Sequence, residues 1–329
     1  MDNWRKVLGP GILFASTAIG VSHLVQATQA GANFGFTLLW AVIIANVLKF
    51  PFFEFASRYA NVKRESILQA YWDRSRFWLY AYLFITFISM FFVTGAVGIV
   101  TYGFMENLFG LNDLVGIKHF TLFVLFFISV LILWVGKFNT LNRLIKFLGL
   151  VLLVTTCIAF FVAVFNGKQG DVNLLPKLSV NAIDFILPLM GWMPTAVDLS
   201  VWNSIWTVER MNDSNYRPTL KETLREFNFG YWISALLAVF FLTMGALVVY
   251  GTDEVIPEKP VNFSAFVIGI FSKTFGNWIN LILSAAAFSI MFSTFITVLD
   301  GYSRSISNAM SLISTKVLSP NKMYRNTLG

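Results

Sequence analysis

Two histidines, one cysteine and ten methionines are a thin stock for metal or nucleophile chemistry in 329 residues. Their spacing narrows the choice. His23 follows Gly20 and Ser22 inside one long charge-free run, and Met193-Pro194-Thr195 follows Met190 inside another apolar run. A neutral imidazole with a thioether and freed backbone carbonyls suits borderline or soft metals such as Fe, Mn, Zn or Cu. It suits Mg or Ca poorly, because those ions want several hard oxygens. His23 and Met193 are the candidate metal ligands, with Gly20, Ser22, Met190 and Thr195 beside them. Asp198 and Asp300 fall within or beside apolar runs, where a charge is costly and points to coupling or gating. Each has a plainer reading. His23 can be a packed, hydrogen-bonded histidine, Met193 can be core filling, and Asp300 can reach the interface at the end of its run. Cys157 alone builds neither a disulfide nor a Cys-based metal site. No nucleophile with a base beside it is evident, so neither an enzyme nor a cofactor is expected.

The elements that must hold these groups follow from composition. The chain is 57% hydrophobic and 12% charged, with 35 phenylalanines and a mean hydropathy of +0.69. A soluble domain carries roughly twice that charge fraction, and so few charges cannot cover so much apolar surface. The lipid bilayer is the expected solvent. The net charge of +7 does not point to nucleic acid, because the basic residues sit between apolar runs. A cytosolic enzyme, a disordered chain and a secreted disulfide scaffold are excluded.

Gaps between charges mark about eight transmembrane helices in an all-α polytopic protein. The expected spans are about residues 8–30, 35–58, 78–105, 118–136, 143–166, 182–206, 228–251 and 276–302. None shows the alternation of a membrane β-strand. With the N-terminus inside, inner segments hold 18 Lys and Arg against 5 outside, and Lys49 lies within a span. That asymmetry orients the chain with a cytoplasmic N-terminus. Lys49 and Glu54 read as structural residues near the inner end of span two, and Glu106 as interfacial.

Two spans are badly built as plain helices. Span one carries Gly20, Ser22 and His23 at its middle, and span six carries Pro188, Gly191 and Pro194 within seven residues. Proline removes a backbone donor and clashes with the preceding turn. Broken backbone at membrane depth is tolerated only where it is buried or lines a cavity. Breaks at corresponding places in two halves point to a transporter site. Spans one and six are five apart, which fits a five-helix unit repeated with inverted topology: residues 1–166, then a partial second unit over 167–329. Asp198 lies five residues past Met193, about 140° away on a regular helix, so only unwinding brings them together.

Gly9 to Trp40 reads GPGILFASTAIGVSHLVQATQAGANFGFTLLW. It resembles the Nramp family of divalent-metal transporters without a gap, and Met193-Pro194 matches the first two positions of that family's Met-Pro-His motif. The resemblance covers the chain in span order, strongest in spans one and two. It implies a LeuT-like inverted-repeat fold, a divalent metal ion as substrate, Mn or Fe favoured, and alternating access around spans one and six. The expected location is integral, in a bacterial inner membrane. The departures are as informative. The family's metal-binding Asp-Pro-Gly-Asn falls on Gly20, Val21, Ser22 and His23. Its His after Met-Pro is Thr195, a second His falls on Ser200, and span three has no acidic residue from Phe77 to Met105. The lost carboxylate keeps two other readings open: a LeuT-fold transporter of a small organic solute such as an amino acid or amine, or a membrane sensor or scaffold that no longer transports. A full fold of this kind needs ten helices, so a fragment of a longer transporter is the expectation.

Overall fold

In the computed structural model, the described residues are 10–314 except 136–137, 169–172, 176–179, 215, 255, 258–259 and 276–279. The basic residues Arg5, Lys6, Lys137, Lys177, Lys259, Lys316, Lys322 and Arg325 lie outside them, as does the polar tail 319–329. Every regular element among the described residues is helical. The first span is α1 (Pro10–Ala18), a π-wound turn (Ser22–Ala27) and α2 (Thr28–Phe34). The long α3 (Leu39–Lys63) leads through α4 (Ile67–Arg74) to α5 (Arg76–Phe109) and the short α6 (Leu111–Val115). Then come α7 (Phe120–Val135), α8 (Phe138–Asn166), α9 (Val180–Trp192), α10 (Leu199–Ser214), α11 (Leu220–Val248), α12 (Pro260–Phe275) and α13 (Asn280–Ile313).

Five of these helices are long and apolar enough to cross a membrane, or six with the bent pair of the first span counted as one. The fourth expected span is a 16-residue helix. The sixth is split into α9 and α10, with residues 193–198 unwound between them. Pro188 is accommodated inside α9, so the break comes later, at Met193-Pro194. The charge gaps predict no element between residues 251 and 276, yet α12 lies there and packs on α5, where the Ser264 hydroxyl donates to the Gly103 carbonyl at 2.8 Å. Its 16 residues fall short of a span, which is why charge gaps miss it.

The broken first span sits at the centre. It packs along α11, and α11 also meets α3. The approach is close because small residues line it. A Cβ on Gly31 would overlap the Leu242 carbonyl, and one on Gly245 the Thr28 carbonyl. Small residues let membrane helices come together where lipid supplies no hydrophobic drive. The same trio buries an aromatic cluster: Phe14 of α1 lies 5.1 Å from Phe53 of α3 and 5.4 Å from Phe227 of α11, centroid to centroid. Outward faces carry large apolar side chains, Phe84, Phe91 and Phe92 of α5 among them, as lipid contact requires.

Candidate functional site

The two unwound stretches touch. The first span bends by 43° at its break, where α1 stops at Ala18 and the π turn begins at Ser22. Single π turns inside helices recur at functional sites. The Ser22 Oγ lies 2.6 Å from the Ala18 carbonyl oxygen and 3.0 Å from that of Pro194. The Ser22 Oγ thus sits where the two breaks meet, with its single proton able to go to one acceptor at a time.

His23 is fully buried and turns towards α11. Its Nε2 is 2.9 Å from the Ser234 carbonyl oxygen, which can only accept, so Nε2 carries the proton. Its Nδ1 therefore presents a lone pair, 2.7 Å from the Ser22 Oγ. The ring stands edge-on to Phe241, with centroids 6.5 Å apart. In this conformation His23 is the packed, satisfied histidine of the plainer reading. Rotation of the Ser22 hydroxyl frees the Nδ1 lone pair of its donor, and Oγ itself must move aside before a ligand reaches it.

Gly20 has no room for a side chain. A Cβ there would meet Thr294 of α13 at 2.5 Å from Oγ1 and 2.6 Å from Cγ2. The Thr294 hydroxyl donates to the Ser16 carbonyl at 3.0 Å. Thr294 thus occupies the space that a carboxylate at this position would take.

Beside these residues is a cavity of about 20 Å³, lined among others by Thr17, Ser22, Trp192, Thr195, Trp202 and Thr294. That is room for a water-sized body. No carboxylate lines it. Trp202 brings an indole Nε1 that is buried with no hydrogen-bond partner among the described residues. Met193 is fully buried and does not line the cavity.

Lys49 reaches the break of span six from α3. It lies well inside the 25-residue helix, not near the inner end of the span. Its Nζ donates to three carbonyls: Met190 at 2.8 Å, Gly191 at 2.7 Å and Thr195 at 3.2 Å. The last carbonyls of a helix have no intrahelical partner and carry the negative end of its dipole. The Met190 carbonyl, expected to face cargo, is held by this ammonium.

The two aspartates stand apart. Asp198 turns to α5 and α13, accepting from Ser89 Oγ at 3.0 Å and Tyr302 OH at 3.4 Å. Hydroxyls from two other spans hold it. Asp300 does not reach the interface. Its span runs on to Ile313, and Asp300 is fully buried, with both oxygens 2.9 Å from Arg304 Nε and one 2.9 Å from Trp206 Nε1. Glu106 accepts from the Thr121 hydroxyl and from the backbone N–H of Asn112, and Glu54 pairs with Arg58 one turn on, at 2.7 Å. Among the described residues no three His, Cys, Asp or Glu side chains are grouped to hold a metal.

The structure therefore gathers Gly20, Ser22, His23 and Thr195 around the meeting of the breaks, with Thr294, Trp202 and Lys49 added from other spans. Glu226 of α11 is a further charged cap: both its oxygens accept from the Gly11 N–H at 2.9 Å, at the N-terminus of α1. The positive end of the helix dipole favours that anion. A carboxylate in the first turns of α11 has no sequence pattern that names a partner 215 residues away.

Residues 11–310 match the model of the Nramp family, natural resistance-associated macrophage protein-like. An uncharacterised protein of Pasteurella multocida (strain Pm70) is 34% identical over 314 residues, covering 94% of this chain and 71% of that protein. The divalent metal cation transporter MntH of Levilactobacillus brevis is 23% identical over 266 residues, 77% of this chain and 56% of the relative. Among solved structures, a mutant of the Eremococcus coleocola manganese transporter superposes with a TM-score of 0.67 at 13% identity, covering 97% of this chain and 68% of that one. A Na⁺-coupled sialic acid symporter, substrate-bound and outward-open, superposes with a TM-score of 0.63 at 16% identity, covering 98% and 70%. Likeness at such identities concerns the fold alone, and the fold is the LeuT-like one of these transporters.

Proposed function

This chain belongs to the Nramp family, and on that premise we propose that it is an integral membrane transporter of divalent metal ions, working by alternating access around the broken first and sixth spans. One observation carries the reading: the two breaks meet at Ser22, whose Oγ lies 3.0 Å from the Pro194 carbonyl oxygen. Freed backbone groups from two spans converge there, and that is where transporters of this build hold cargo. In this reading residues 1–166 form a first five-helix repeat and 167–329 a partial second one. The N-terminus is cytoplasmic, in a bacterial inner membrane.

The metal is a borderline one, Mn²⁺ or Fe²⁺ first. His23 Nδ1, the Met193 thioether and carbonyls at the two breaks are its ligands once Ser22 turns away and the unwound stretch moves. Such a set disfavours Mg²⁺, which demands oxygen and gives up water reluctantly. A neutral site offsets little of the dehydration of a dication, so affinity is modest. Titration calorimetry of the purified chain with Mn²⁺, Fe²⁺, Zn²⁺ and Mg²⁺ tests this. The expected result is binding of a transition metal that weakens at least about tenfold, or about 1.4 kcal/mol, in His23→Ala. Silence from all four metals overturns the reading.

One observation favours a second reading. The cavity at the breaks has no carboxylate in its lining, and one lining residue, Trp202, has a buried indole N–H without a partner among the described residues. Once the water-sized cavity widens, those features suit a small organic solute that presents an acceptor oxygen, such as an amino acid carboxylate. Thermal stabilisation by amino acids and not by metals is the outcome that selects it.

A further inference from the structure

Lys49 is an ammonium at membrane depth that neither reading of the cargo names as a ligand. It lies ten residues into α3, about 15 Å from the start of that helix at 1.5 Å per residue. Its helix neighbours Val47, Leu48 and Phe52 are exposed to the lipid side. Glu54, five residues on, pairs with Arg58, and among the described residues no carboxylate pairs with Lys49. Its partners are all backbone: the carbonyls of Met190, Gly191 and Thr195, at 2.8, 2.7 and 3.2 Å. An ammonium has three N–H donors and no acceptor, so the three carbonyls satisfy it completely. Two of them belong to the last turn of α9, where the dipole is negative and no helical donor remains. The third comes from the unwound stretch.

We propose that these three carbonyls form a cation site at the break of the sixth span, of the class that takes a primary ammonium or a small monovalent cation, and that Lys49 is its built-in occupant. The chain carries as a side chain the cation that would otherwise have to bind from solution to close this break. An intramembrane charge is retained for a role, and here the role is to hold the end of α9 to α3. The inference concerns the break itself and stands under either cargo.

The test is chemical rescue. Lys49→Ala empties the site without adding bulk. The full chain, purified in detergent, is melted by tryptophan fluorescence in equal concentrations of methylammonium, sodium, choline or tetramethylammonium chloride. Lys49→Ala is expected to melt about 5 °C or more below the parent in choline. Methylammonium should recover at least half of the loss, sodium some of it, and tetramethylammonium, which has no N–H, none. The parent should respond equally to all four salts. An unchanged melting temperature in Lys49→Ala overturns the proposal, and so does a loss that methylammonium does not repair better than tetramethylammonium. If Lys49→Ala yields no folded protein, Lys49→Arg and Lys49→Met decide. Arg keeps charge and donors and should melt higher than Met, which keeps only the length; the reverse order overturns the proposal.

Discussion

Replacing Gly20 by aspartate would restore the carboxylate that the family pattern places there, and the structure says why the change fails alone. The new Cβ would lie 2.5 Å from Thr294 Oγ1, 2.6 Å from its Cγ2 and 2.9 Å from its Cβ. Overpacking of that kind costs about 1–3 kcal/mol, and an unpaired buried carboxylate adds several more. Thr294→Ala removes the two closest atoms and loses one hydrogen bond, from Oγ1 to the Ser16 carbonyl, worth about 1 kcal/mol. The double variant should therefore be more stable than the sum of the singles by about 1–2 kcal/mol, the range for residues in contact. It should also bind Mn²⁺ better than Thr294→Ala does. A unit charge pair at 4 Å attracts by about 4 kcal/mol at an effective dielectric of 20, doubled for a dication. Dehydration cancels most of that, and a surviving 1.4 kcal/mol is about tenfold in affinity. Denaturation in detergent gives the coupling, and calorimetry gives the affinity. Strict additivity of the two changes would refute the steric argument. Coupling without any gain in Mn²⁺ affinity would refute the placing of Gly20 at the cargo site.

Other consequences are simpler. Gly245→Ala drives a methyl into the Thr28 carbonyl and should abolish folding or lower the melting temperature sharply. Gly95→Ala, with nothing within 4 Å of its Cβ, should be neutral or stabilise by about 0.5–1 kcal/mol; equal effects in the two would mean that α2 and α11 are not in close contact. Asp300→Ala leaves the Arg304 guanidinium facing Glu209 at the longer distance of 3.6 Å and should cost about 3–5 kcal/mol, the range for breaking a buried pair. Denaturant titration checks it, and a loss under 1 kcal/mol would mean that Asp300 is solvated. Glu226→Gln removes the charge that caps α1 at Gly11 and should cost about 1.5–3 kcal/mol, read by the same titration; a neutral outcome would remove the cap from the account.

Much of the frame was legible because membrane depth imposes it. Charge-free runs mark helices, and prolines and glycines mark where helices cannot continue. The break in span one stands at Gly20, and that in span six begins at the last part of the Pro188–Pro194 stretch, past Pro188. Legibility ends where a charge is satisfied from far along the chain. Lys49 interrupts an apolar run, so a gap between charges places it at a span's end. Its three carbonyl partners are more than 140 residues away, and no local pattern announces them. Asp300 ends a charge-free run in the same way, but Arg304 follows one turn later, the i,i+4 spacing of a helical ion pair. That spacing was the available sign that the helix continues. His23 was legible as a candidate, and its hydrogen bond to Ser234 was not, because a backbone carbonyl partner has no residue signature.

Lys49 also separates the two readings of the cargo, because it fixes the sign of the local charge. A dication held by the Met190 or Gly191 carbonyl competes with an ammonium already bound there. If both stayed, at about 4 Å, a dication and a unit charge would repel by on the order of 8 kcal/mol at an effective dielectric of 20. That exceeds the binding energy of a modest metal site, so metal entry and release of Lys49 must be a single event. A carboxylate-bearing solute meets the opposite field, and the ammonium attracts it without moving. Lys49→Met removes the charge and keeps the length. Under metal transport it should raise Mn²⁺ affinity at least about tenfold, since no cation need be displaced. Under transport of a carboxylate it should lower solute affinity by a comparable factor. Calorimetry on the parent and Lys49→Met reads both. Metal affinity that does not rise in the variant would mean that metal does not use the carbonyls of the sixth break, and the ligand set proposed for it would fall.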